Sequence, residues 1–133
     1  MLLILTEKFI NKIFVRVINM VNERGAKLAD NVKRFLNSAN LVYSSEDYTS
    51  ATILYFKALF STFDWIILRK FGRIPKDHTD RFQILKQNYS EFYVFLDKYF
   101  PKYRESYTMS ISKEDCDKIK EYAERIIAEQ GIF

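Results

Sequence analysis

The stretch Glu46–Gly72 reads EDYTSATILYFKALFSTFDWIILRKFG, and its periodicity decides the fold. Ala51, Leu54, Tyr55, Ala58, Leu59, Trp65 and Ile66 recur at helical steps along one stripe, and Phe56, Phe60, Phe63 and Ile67 along a second. A helix apolar on two sides needs neighbours on two sides, so the pattern predicts a central helix over about 46–71. Ser44-Ser-Glu-Asp47 forms a capping-box-like start in which Ser44 accepts from the first-turn amides. Gly72 supplies a left-handed stop.

Working outward, four further helices are expected. Upstream, one covers about 6–23 (Phe9, Ile13, Val17, Met20, Val21), with Gly25 just beyond its end. A second covers about 26–43, where Leu28, Val32, Phe35, Leu36, Ala39 and Val42 recur at three- and four-residue steps. Downstream, Asp77 can cap a helix over about 78–99 that carries Phe82, Leu85, Phe92 and Leu96 and stops before Pro101. After an irregular stretch near 101–111, Ser112-Lys-Glu-Asp115 opens a last helix over about 113–130, with Gly131 at its end. The expected fold is all-α, one up-and-down bundle of about five helices forming a single domain over 1–133.

Composition agrees. The chain has 133 residues, 48% of them hydrophobic and 17% aromatic, enough for one packed core and unlike a disordered segment. Three Gly and two Pro are too few for the turns of a β-sandwich. One Cys and one His exclude an internal disulfide and a His-rich metal site, so neither a metal nor another cofactor is expected. The apolar start Met1–Leu5 gives way to Thr6-Glu7-Lys8, too soon for a spanning segment or a signal, so no membrane role and a cytoplasmic location are expected. A net charge of +4 is compatible with an anionic partner.

The chemistry concentrates in Gly72-Arg-Ile-Pro-Lys-Asp-His-Thr-Asp-Arg81. Arg73, Lys76 and Arg81 gather around His78 at a helix N-terminus, whose free amides favour anions. An imidazole beside cations can serve general acid–base cleavage of a phosphodiester. The same residues can also form an ordinary solvated helix start. Lys57 is a snorkelling edge residue or a cation facing a cleft, and Cys116 reads as a small buried hydrophobe.

Several of these motifs, taken in order, resemble the HEPN superfamily. Tyr48-Thr-Ser-Ala51 with Lys57-Ala58-Leu59 resembles its central helix. Pro75-Lys76-Asp77-His78 resembles its Pro-Lys-Thr-His junction, and Tyr99-Phe-Pro-Lys-Tyr103-Arg104 its Tyr…Arg-Tyr-Pro segment. The archaeal PaREP1-like group looks nearest. The likeness covers about 25–130 and leaves the first 24 residues as an extra helix.

The resemblance implies a homodimer and divides into two branches. In the non-nucleolytic branch the module binds a nucleotide, RNA or a minimal nucleotidyltransferase partner, in a toxin–antitoxin-like arrangement. There Lys76, His78, Arg81 and Arg104 would contact phosphates, and Tyr103 would offer a stacking face. In the other branch a metal-independent endoribonuclease uses an Arg-x4–6-His motif across the dimer. Arg73 and His78, separated by four residues, have that spacing, although Ile74 and Pro75 stand where the nuclease motif is polar and helical. A purely structural helical dimer is the third reading.

Overall fold

The computed structural model describes residues 2–133, with side chains from Thr6 onward. The described residues are 84% helical, with no strand. Five helices follow one another: α1 (Leu2–Ser44), α2 (Tyr48–Phe71), α3 (His78–Asn88), α4 (Ser90–Glu105) and α5 (Lys113–Gln130). The number five is as expected, but it arises by a different division of the chain.

The two N-terminal segments are one continuous helix of 43 residues. Gly25 does not end it: positive φ among glycines occurs at Gly72 and Gly131, not at Gly25. A methyl group there would meet the Trp65 indole at 3.9 Å, an ordinary contact, so the packing of α2 tolerates a side chain at this position.

Ser44 is likewise not the cap of α2; its hydroxyl donates back to the Asn40 carbonyl. Glu46 takes the left-handed conformation (φ 66°) that turns the chain, and Asp47 accepts the Ser50 amide at 3.0 Å. The turn makes α1 and α2 an antiparallel hairpin.

The expected fourth helix is two. It breaks at Tyr89 (φ −140°, ψ 71°), and α4 then runs straight through Pro101 to Glu105. Pro101 removes one helical hydrogen bond, a cost of about 3 kcal/mol that the local sequence makes look prohibitive. Burial of Tyr103, two residues further on, holds the helix past it: its ring packs 5.3 Å from both Phe56 and Phe60. Residues 101–105 are thus helix, while 106–112 form the irregular stretch the sequence leads one to expect.

Other ends are as the sequence predicts. Gly72 (φ 74°) and Gly131 (φ 61°) close α2 and α5, and Ser112 accepts the Asp115 amide at 3.1 Å.

α2 is the axis of the core. Tyr55, Phe56, Leu59, Phe63 and Ile67 are fully buried, covered by Val32 and Ala39 of α1, Leu85 of α3, Leu96 of α4 and Ile119 of α5. α2 is long and apolar enough to cross a membrane, but 78% of its most apolar window is buried inside the bundle, as befits a core helix. Cys116 is buried among the α5 core residues. At 1.5 Å per residue α1 is about 64 Å long and α2 about 36 Å, so the start of α1 runs roughly 28 Å past the end of its partner.

Candidate functional site

The Gly72 cap turns the chain out of the core, and the next five residues lead directly into α3. Asp77 opens that helix by accepting the Asp80 amide at 2.8 Å. This start places Asp80 back over the turn, where one oxygen accepts the Lys76 amide at 2.9 Å and the carboxylate grips Arg73 through two bonds of 2.7 and 3.2 Å. Arg73 beside it holds the Asp80 carboxyl well below the usual range, at about 2. Arg73 is thereby committed to Asp80 rather than to His78.

His78 belongs to a different network. One α3 turn on, Arg81 reaches into the bundle and binds Asp64 of α2 through Nε (2.7 Å) and Nη2 (2.9 Å). Both partners are buried, so the pair satisfies charges that would otherwise be stranded. The remaining arm, Nη1, lies 2.6 Å from His78 Nδ1. A guanidinium only donates, so Nδ1 must be the acceptor and the ring proton sits on Nε2.

The imidazole rests on Phe60 (4.8 Å) and Phe100 (5.3 Å). Burial, and then the adjacent Arg81 charge, push its pKa below 6.5, with Lys57 adding to the depression. His78 is therefore a neutral ring at pH 7 that offers an Nε2–H donor at an exposed edge.

The expected residues thus divide. Lys76 and His78 share the exposed turn, and Lys57 of α2 is exposed close enough to act on His78 electrostatically. Arg81 is not free for a phosphate, since all of its guanidinium nitrogens are engaged with Asp64 and His78. Tyr103 is 6% exposed and offers no face for a base; its hydroxyl accepts from Tyr107 at 2.8 Å. Arg104 is exposed on α4, lining a separate recess of about 270 Å³ with Phe82, Tyr93, Asp97 and Pro101. Arg73, Lys76 and His78 are all exposed and do not line the recess beside Arg104. The basic turn is open surface.

Sequence reading missed Asp64 and Phe100. Asp64 carried a signal: it is a lone acid inside the apolar run Phe60–Leu68, and a charge there must have a buried partner. Phe100 carried none, because its place depends on α4 continuing through Pro101. Among the described residues no cluster of His, Cys, Asp and Glu could hold a metal ion.

Fold and site together define a helical bundle that braces a neutral histidine with a buried Arg–Asp pair beside surface lysines. No family model, curated protein or solved structure matches the chain.

Proposed function

We propose that the protein is a non-catalytic, HEPN-type helical module that forms a homodimer and binds RNA or a nucleotide through its phosphates, alone or beside a minimal nucleotidyltransferase partner. The observation that carries this reading is the fixed tautomer of His78. With Nδ1 occupied by Arg81 and the proton on Nε2, the exposed edge donates a hydrogen bond, as suits a phosphate oxygen. It is badly set for taking a proton from a ribose hydroxyl, which needs a free ring nitrogen.

Lys57 and Lys76 supply positive potential around that donor. Small molecules prefer concave sites. An open basic turn suits a phosphate on an extended chain, which favours RNA over a free nucleotide. The ribonuclease alternative loses its second member, since Arg73 pairs with Asp80.

The test is anisotropy with a labelled single-stranded RNA across a salt series. Lys57→Ala and Lys76→Ala should each weaken binding several-fold and reduce the salt slope by about 0.7. Lys118→Ala, on α5, should leave binding unchanged. RNA incubated with the protein in EDTA should stay intact. Cleavage that disappears in His78→Ala would refute the non-catalytic reading, and binding indifferent to both lysines would refute the site.

A further inference from the structure

The protruding start of α1 is apolar where nothing covers it. Two seven-residue series run along the helix: Phe14, Val21, Leu28, Phe35, Val42 and Ile18, Gly25, Val32, Ala39. Their C-terminal members face α2, with Gly25, Val32 and Ala39 buried and Leu28, Phe35 and Val42 half-buried. The N-terminal members Phe14 and Ile18, 63% and 41% exposed, continue the same face beyond the end of the bundle, and the next positions of the two series are the polar Glu7 and Asn11. Phe9, Ile10, Ile13, Val17 and Met20 widen this face, each between 39% and 64% exposed. Lys8, Lys12 and Arg16 occupy the opposite side.

Half-exposed side chains of this size present roughly 600 Å² of apolar surface, at or above the largest patch usual on a monomer. A standard protein interface covers about 800 Å² on each partner, so this one arm comes close to supplying it.

We infer that a second copy of this chain covers the arm, the two α1 arms packing antiparallel about a twofold axis. α2 is antiparallel to α1 and lies on the side of the arm's apolar face. An antiparallel partner arm therefore prolongs the track of α2, meeting the apolar stripe as α2 meets its continuation. Where α2 stops, the arm and the bundle form a corner of about 320 Å³ lined by Val17, Ile18, Val21, Leu68 and Gly72. The incoming arm ends there. A rod about 10 Å across fits beside α1 in this way. A flat lipid surface does not, because the end of the bundle stands on the side it would have to approach.

An overhang of roughly 28 Å whose tip meets the partner's corner sets the axis at its middle, near Asn11. Residue 10 then lies near its own copy, while the two copies of residue 21 stand roughly 30 Å apart along the axis.

The inference specifies the homodimer of the proposed function, but it is read by mass, so failure of RNA binding leaves it intact and the reverse also holds. Light scattering on the full chain should give twice the 15.9 kDa of the monomer. Phe14→Asp with Ile18→Asp should give the monomer mass while keeping cooperative unfolding. In a Cys116→Ala background, Ile10→Cys should oxidise to a covalent dimer and Val21→Cys should not. A monomeric wild type, a double variant that stays dimeric, or equal cross-linking at the two positions would overturn the arrangement. So would a monomer that sediments with anionic vesicles only while Phe14 and Ile18 are intact.

Discussion

At the residue scale the molecule turns on Asp64. Asp64 and Arg81 expose only about a tenth of their side chains, so removing one partner leaves the other charge buried alone. Asp64→Ala should cost about 3–5 kcal/mol in urea denaturation. The double variant Asp64→Ala/Arg81→Met should recover much of that loss, because it removes the stranded charge. The same pair reaches solvent through His78. Its folded pKa lies below the unfolded 6.5, so above about pH 6.5 both states are neutral and the ring has no effect on stability. As pH falls through 6.5 toward the folded value, the unfolded state takes up a proton first and stability declines. Asp80 acts in a lower window, losing its contribution between its unfolded value near 3.8 and its folded value of about 2. Stability followed by denaturant midpoint should fall in two steps, and His78→Ala should abolish the upper one.

At the element scale the glycines separate local propensity from context. Gly25 and Gly72 look alike in sequence, each following a helical run, yet one lies inside α1 and the other ends α2 with φ 74°. A methyl group on Gly25 meets Trp65 at ordinary contact distance, so Gly25→Ala should raise stability by about 0.5–1 kcal/mol through better helix propensity. Gly72→Ala has open space but a left-handed backbone and should lose about 1 kcal/mol. Chemical denaturation of the two variants should therefore move in opposite directions. Tyr89 and Pro101 teach a similar lesson. The chain breaks its helix at an unremarkable tyrosine and keeps it through a proline, where the burial of Tyr103 outweighs the lost hydrogen bond.

At the scale of the whole molecule, α2 bears the largest share of burial. Leu59→Ala should cost about 2–5 kcal/mol, measured by thermal or urea unfolding, because Leu59 is fully buried at the crossing of several helices. The arm should behave oppositely: its residues touch little of their own bundle, so polar substitutions there should change mass far more than unfolding.

The sequence by itself determined the helical class, the two-sided burial of α2 and the caps at Asp77, Ser112, Gly72 and Gly131. It also placed His78 among cations. These features are local, resting on spacing along one helix or on the chemistry of one turn. Tertiary structure alone decided that Gly25 continues a helix, that α4 passes Pro101, and that Arg81 turns inward to Asp64 while Arg73 turns to Asp80. Each of those outcomes weighs a local preference of about 1–3 kcal/mol against contacts with residues distant in sequence, and no pattern within a single segment contains that comparison.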